Sequence, residues 1–547
     1  MLAALGRPRG STCGAALVLG LVTLACGRVG FEQLPLRDLG PRDDLGPVDP
    51  GVPPPRALAP VAGSRRSAGR PTFRWQPAPE AEGVRLELCR APACAQVEIS
   101  LDLQGTTHTL AQPLAPGLWF WRLTSRRDGR RGERTSTPRV LAVGAGPAPG
   151  GSLAPVLDLD ADGCADLAVA SVGRSTEPGR VAIYRGSADG LKREPTWVLE
   201  GSRPTFGTAV AAVGDVDGDG LTDLAVGEPS SDPEAPGIVV VYLGGADGPA
   251  AEGDHRLEAP DDQPRFGETL AAALDVDRDG RGDLIVGAPP AGAAYLFLGR
   301  TDSAPVFGGR LEGAEAFGRA LASLGDVDDD GFADVAVASG ERDGAVHIHH
   351  GSPEGLERDA RQVLEGGAET QGSFGAALAS AGDLDGDGAA DLAVAAEGFA
   401  AETGRVLLFR ATPEGFERWP DLVLSGPDGP GGRFGSALAA GNVDGDPATD
   451  LLIGAAGALD GDGAVHLFRG AMPEGPMTRF GGPDGAAFGR SVQLRDIDRD
   501  GDEDAAAGAP GADLVRLYRA REDGLVTDGE VTGDDPGGLR EFGRALD

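Results

Sequence analysis

The sequence predicts an all-β chain whose main body repeats one unit of short strands seven times. Three observations predict it. Among 547 residues, 88 are Gly and 42 are Pro, while aromatics make up 5%, which suits short strands and turns rather than long helices. One acidic hexapeptide returns seven times, at intervals of 51 to 60 residues. Short apolar runs follow it, such as Leu284-Ile285-Val286-Gly287 and Leu451-Leu452-Ile453-Gly454.

Composition narrows the function. Hydrophobic residues reach 41%, enough to build cores, and the net charge is −36. That charge argues against nucleic acid and anionic membrane surfaces, which need Lys and Arg to meet phosphate. The carboxylates recur at regular positions rather than in blocks, which points to counter-cations. The five cysteines, Cys13, Cys26, Cys89, Cys94 and Cys164, contain no CxxC pair, so a zinc ribbon or a thioredoxin-type site is not expected.

The N-terminus reads as an address. Arg7 and Arg9 precede an apolar run from Ala15 to Ala25, too short to span a bilayer comfortably, so residues 1–25 form an export signal. The run ends in Val22-Thr23-Leu24-Ala25-Cys26, which resembles a bacterial lipoprotein signal. The resemblance implies cleavage before Cys26 and lipidation of its thiol. An ordinary signal cleaved nearby, with Cys26 incidental, is the alternative. Gly27 at the next position implies an outer-membrane or cell-surface destination, with membrane contact through the lipid alone. Residues 26–58 carry Pro35, Pro41, Pro47, Pro50, Pro53, Pro54 and Pro55 and read as a stiff tether.

Residues 59–143 alternate apolar and polar at Thr72-Phe73-Arg74-Trp75, at Val84-Arg85-Leu86-Glu87-Leu88 and around Trp119 and Trp121. The pattern resembles a small fibronectin type III domain, a β-sandwich. Cys89 and Cys94 flank three residues and suit a local disulfide in an oxidising compartment, two free thiols being the alternative.

The seven hexapeptides open at Asp158, Asp215, Asp275, Asp326, Asp383, Asn442 and Asp496. Position 3 holds Asp160, Asp217, Asp277, Asp328, Asp385, Asp444 and Asp498, and position 5 holds Asp162, Asp219, Asp279, Asp330, Asp387, Asp446 and Asp500. Position 6 is Gly except at Pro447. Three residues later stands Asp166, Asp223, Asp283, Asp334, Asp391, Asp450 or Asp504.

This spelling points to calcium. Oxygens at positions 1, 3 and 5 fall on one side of a tight loop, Gly at 6 permits the turn, a carbonyl at 7 adds a ligand, and Asp at 9 closes the cage. Calcium takes six to eight hard oxygens in flexible geometry, magnesium a stricter octahedron. Zinc would take His or Cys. Acidic turns capping their own backbone are the alternative, but four convergent carboxylates repel one another without a cation. About one Ca2+ per loop is expected. The sixth loop departs, with Asn442 for Asp and Pro447, which cannot adopt positive φ, so its site is expected to be empty or distorted.

A Phe-Gly pair precedes six loops: Phe206-Gly207, Phe266-Gly267, Phe317-Gly318, Phe374-Gly375, Phe434-Gly435 and Phe488-Gly489. Gly287-Ala288-Pro289 and Gly508-Ala509-Pro510 follow their loops' strands. These motifs resemble the FG-GAP repeat of integrin α-subunits and bacterial surface proteins, over residues 151–547. Each unit reads as four strands, and such units arranged radially make a seven-bladed β-propeller. The resemblance implies calcium loops on one face and ligand on the other. The chain's last residues, Phe542 to Asp547, start an eighth copy. Either they complete the first blade, or residues 152–157 already supply its inner strand and the chain is truncated.

No GxSxG, HExxH or phosphate-binding glycine loop is present, and the carboxylate pairs are assigned to metal. His347, His349 and His350 form the only His cluster; His349 takes the slot of Tyr184, Tyr242 and Phe409 and reads as packing. Cys164 reads as incidental. The expected function is a non-catalytic, lipid-anchored binding or adhesion scaffold of the cell envelope, with a protein or polysaccharide ligand. The alternatives are a polysaccharide lyase or hydrolase on the same scaffold and a structural envelope protein.

Overall fold

The computed structural model describes residues 48–49, 56–59, 64–67, 72–78, 81–90, 97–110, 112, 114, 117–127, 130–135 and 139–144. It also describes 155–547 except 161, 163, 174–175, 220, 246–247, 251, 302, 329, 341–342, 368–372, 383, 385–389, 413–414, 445–448, 471–477, 499, 501, 522–523 and 534–540. The described chain is all-β, built of antiparallel sheets with few short helical turns.

Residues 48–144 form two sheets. Gly83–Cys89, Val97–Leu103, Gly117–Arg127, Arg130–Thr135 and Arg139–Gly144 belong to the larger, and Arg56–Ala59, Thr72–Gln76 and Thr107–Thr109 form the smaller. The alternation read in the sequence buries Phe73, Trp75, Val84, Leu86, Leu88, Trp119, Trp121 and Leu123 in one core. Strand pairing begins earlier than composition indicates: Arg56 and Ala57 pair with Gln76 and Trp75, and Val48–Asp49 pairs with Arg131 and Gly132. The Pro-rich stretch expected as tether to residue 58 thus contributes strands, because pairing partners override a compositional bias. Cys89 is disulfide-bonded; Cys94 and Cys26 lie outside the described residues.

Seven larger sheets follow, with two two-stranded sheets, Gly351–Ser352 with Gly355–Leu356 and Ala411–Thr412 with Gly415–Phe416. The second, Val210–Gly214, Asp223–Glu228, Ile238–Tyr242 and His255–Glu258, sets the pattern: four strands, each paired with its neighbour in the chain. Sheets three to seven repeat the four strands, each with an acidic loop between its first and second strands; in the fourth and fifth a two-stranded sheet lies between the third and fourth strands. The first has three consecutive strands, Leu167–Ser171, Arg180–Tyr184 and Trp197–Glu200. The place of its missing strand is taken by the last residues of the chain. The Ala168 N–H donates to the Asp547 carbonyl at 2.6 Å, Ala170 to Ala545 at 3.0 Å, and Gly543 back to Ala170 at 3.1 Å. Of the two sequence readings of this sheet, these bonds agree with completion by Phe542 to Asp547; of residues 152–157, those at 152–154 lie outside the described residues and 155–157 form no strand.

Each core lies between two sheets. Val181 and Leu199 of the first pack with Phe206 on Leu224 and Val226 of the second, and the same holds in turn down the chain to the sixth and seventh. The last core returns to the start: Ala506, Val515 and Leu517 of the seventh sheet pack on Leu167, Val169 and Tyr184 of the first.

The Phe-Gly pairs explain themselves here. Phe206, Phe266, Phe317, Phe374, Phe434 and Phe488 are all fully buried. Phe266 meets Tyr295 and Phe434 meets Phe468 edge to face, at 5.4 and 6.1 Å between ring centres. The glycine then turns the backbone through positive φ, +85° at Gly267 and +92° at Gly435, where a side chain would be strained.

Candidate metal centres

The acidic loops are positioned by their second residue. Leu159, Val216, Val276, Val327, Leu384, Val443 and Ile497 are all buried in the cores. Anchoring that side chain inward leaves its neighbours at positions 1 and 3 on the opposite side of the chain. Asx turns then shape the loop: Asp219 N–H donates to Asp217 Oδ1 at 3.1 Å, and Leu221 N–H to Asp219 Oδ1 at 2.8 Å. The first, third and fourth loops repeat this at Cys164 to Asp162, Arg281 to Asp279 and Phe332 to Asp330.

The ninth-position aspartates do something the sequence did not reveal. Each is buried, and in six of the seven both oxygens accept backbone N–H groups. Asp223 Oδ2 accepts from Val216 at 2.8 Å, and its Oδ1 from Gly244, just beyond the third strand, at 2.8 Å. Asp166, Asp283, Asp334, Asp391 and Asp450 make the same two bonds. Asp504 accepts from Ala520. The residue expected to close a metal cage is therefore a clasp between the loop and the end of the third strand.

Carboxylate oxygens converge within 4.8 Å of one another in Asp158, Asp160 and Asp166; in Asp215, Asp217 and Asp223; in Asp275, Asp277 and Asp279; and in Asp326, Asp328 and Asp330. Asp496, Asp498, Asp500 and Asp504 stand in the equivalent places of the seventh loop, and Asn442, Asp444 and Asp450 in the sixth. Asp383, Asp385, Asp387 and Asp446 lie outside the described residues.

The metal-free cluster is electrostatically unfavourable. Burial raises the Asp166 and Asp223 carboxyls to about 8, and neighbouring aspartates push the same way. Burial raises Asp275 and Asp504 to about 7, and Asp283 and Asp334 also move well up. Asp275 Oδ1, Asp328 Oδ1 and Asp498 Oδ1 are buried without a hydrogen-bond partner. A divalent cation held by oxygen ligands fits this donor set: it supplies the missing partner and removes the repulsion.

One ligand set was not foreseen. His350 Nδ1 lies 2.7 Å from Asp328 Oδ2 and 3.9 Å from Asp334 Oδ1, so the fourth loop has an imidazole beside its carboxylates. The readable signal was its slot after the third strand, where Arg185, Arg410 and Arg469 stand in other repeats. His347 and His349 do not join it. They pack edge-on against Phe317, as the sequence indicated for His349. Cys164 is buried and forms no disulfide, and its N–H donates to Asp162.

Two family models match this chain. The FG-GAP-like repeat aligns with residues 158–226 and 326–394, and the FG-GAP repeat with residues 266–302. The chain carries FG-GAP repeats. All three matches contain an acidic loop and its following strand. Human integrin alpha-7 is 43% identical over 160 residues, covering 27% of this chain and 13% of the integrin. Human integrin alpha-IIb is 32% identical over 282 residues, covering 46% of this chain and 25% of the integrin. This FG-GAP chain thus spans a quarter or less of the length of those relatives. Among solved structures, a Bacillus licheniformis rhamnogalacturonan lyase matches with a TM-score of 0.34 and 13% identity, covering 87% of this chain and 76% of the lyase.

Proposed function

We propose that this FG-GAP chain is a calcium-stabilised, non-catalytic binding scaffold of the bacterial cell envelope. Its body is read as a seven-bladed β-propeller, each sheet one blade, preceded by a fibronectin type III-like sandwich. The return of the packing order from the seventh sheet to the first supports the ring. So does the Ala165 N–H of the first loop, which donates to the Asp496 carbonyl of the seventh at 3.1 Å. Adjacent loops are tied in the same way, Gly282 to Asp215 and Ala333 to Asp275.

The observation that carries the calcium reading is one acidic loop in one structural setting, repeated sheet after sheet. Asp or Asn at position 1 and Asp at positions 3, 5 and 9 would hold the ion, and the buried ninth residue would tie it to the blade. The ion supplies charge neutralisation and rigidity. A ring of rigid blades leaves its loops free to vary, which suits a protein or polysaccharide ligand. Export and a lipid anchor at Cys26 are carried by the sequence signal alone. Equilibrium dialysis tests the calcium reading: about six ions per chain are expected, and none above background would end it. Replacing Cys26 by Ala tests the anchor, with release from the membrane fraction expected.

A further inference from the structure

The fourth acidic loop has a nitrogen donor beside its carboxylates. His350 directly follows the third strand of its sheet, Ala345–His349. Arg185, Arg410 and Arg469 directly follow the third strands of the first, fifth and sixth sheets. In that slot Arg185 ion-pairs with Asp160, and Arg469 lies 3.5 Å from Asp444. A guanidinium there can only balance charge, because it keeps its proton and has no acceptor to offer. An imidazole can pair as a cation or give up its proton and bind a metal ion.

His350 is 6% exposed and is held from both sides. Its carbonyl accepts the Glu357 N–H at 2.8 Å, and the next residue, Gly351, donates its N–H to Asp334 Oδ1 at 3.0 Å. That clasp sets the imidazole against the loop, with Nδ1 at 2.7 Å from Asp328 Oδ2 and 3.9 Å from Asp334 Oδ1. Asp334 is fully buried, and its Oδ2 is fixed by the Val327 N–H at 2.8 Å. One donor atom from each of Asp328, Asp334 and His350 lies within 4.8 Å of the others, and Asp328 converges in the same way with Asp326 and Asp330. Ligands at zinc's usual bond length stand about 3.3 Å apart in a tetrahedron, between the two separations of Nδ1. Asp328 Oδ1 is buried without a hydrogen-bond partner. One further cation is close: Arg361 Nη1 lies 3.6 Å from Asp328 Oδ2. Both Glu357 oxygens hold that guanidinium, at 2.8 and 2.6 Å, so its charge is met without Asp328.

We propose that Asp328, Asp334 and His350 form a mixed nitrogen and oxygen site that prefers a zinc-type divalent ion to calcium. Calcium takes oxygen ligands and gains nothing from an imidazole. Zinc takes histidine nitrogen and aspartate oxygen together, and imidazole suits first-row ions of that kind. Asp326 and Asp330 stand ready to complete the shell. Binding sends the imidazole proton to water, since the ion takes the nitrogen lone pair. The proposal replaces calcium at one loop and leaves the calcium reading of the others as it stands.

Metal analysis of the full chain tests this. The chain is stripped with EDTA, dialysed against excess calcium with trace zinc, then against calcium alone. About one zinc ion per chain should remain beside the calcium. X-ray absorption at the zinc edge should show one imidazole nitrogen among oxygen ligands. His350→Arg, which puts in the slot the residue found in the first, fifth and sixth sheets, should retain no zinc and keep calcium in the other loops. The edge spectrum of the unaltered chain stands whether or not that variant folds. Zinc retained equally by His350→Arg, or a zinc shell of oxygens alone, would overturn the site. Calcium bound with no zinc retained would also overturn it, while leaving the calcium reading intact. Zinc retained by the unaltered chain and lost in His350→Arg, with calcium absent from both, would sustain the site and overturn the calcium reading instead.

Discussion

Gly287 and Gly318 meet backbone to backbone across two sheets: a Cβ on Gly287 would stand 2.3 Å from the Gly318 carbonyl oxygen and 2.0 Å from Thr269 Oγ1. Gly227 meets Gly267, Gly454 meets Gly489 and Gly508 meets Gly543 in the same way. The first glycine of the Gly-Ala-Pro segment in one repeat is thus the seat for the Phe-Gly glycine of the next, and the two motifs are one contact.

Gly287→Ala should therefore force the third and fourth sheets apart and cost about 1–3 kcal/mol, as overpacking does. Gly309→Ala is the control, since nothing lies within 4 Å of its added Cβ. Urea unfolding should move the midpoint for the first substitution and leave the second within about 0.5 kcal/mol. Equal effects would remove the contact as the reason for the glycines.

The clasp and the cage separate by mutation. Asp223→Asn places an amide N–H2 against one of two buried backbone donors and should destabilise the chain even in EDTA, by about 1–3 kcal/mol. Asp217 has no such double clasp. Asp217→Asn should leave stability in EDTA nearly unchanged and reduce only the stabilisation that calcium adds. Identical losses in both conditions for both variants would mean that the ninth position has no structural role apart from metal.

Stability without calcium should fall as pH rises. Asp166 and Asp223 titrate at about 8 in the folded metal-free chain, and Asp275 and Asp504 at about 7, against ordinary values near 4. Between those limits the folded chain holds protons that the unfolded chain has lost. Their stabilising contribution is complete below about pH 4 and is lost as pH climbs through 7 to 8. Calcium competes with the same protons, so the stabilisation it adds should grow over that window. Melting temperatures in EDTA at pH 5.5 and pH 8 should decline, while the gain on adding calcium increases; the opposite slopes would contradict the assignment of buried, proton-holding loops.

Much of this was legible in the sequence, because each motif has a local cause. The apolar runs that follow the ninth-position aspartates, such as Leu284 to Gly287, placed the loops between strands, and the Phe-Gly pairs preceded six of the loops. What stayed hidden depends on residues far apart in the chain. The Gly186 N–H reaches Asp166 only once the third strand has folded back to the loop. Arg185 and Arg469 stood in one column after the third strands, but their place over Asp160 and Asp444 follows from the sheet, not from spacing. The first sheet's remaining strand comes from residues more than 370 positions downstream. The Pro-rich segment misled at its end because Arg56–Ala59 finds a partner in Thr72–Gln76.

The most direct test of the central claim is thermal unfolding of the full chain in EDTA, then with calcium or magnesium restored. A ligand that binds only the folded state must raise its melting temperature. Oxygen-rich, flexible loops predict a large upward shift with calcium and a much smaller one with magnesium. No shift with either ion would contradict metal-bound loops and leave the aspartates as turn-capping residues only.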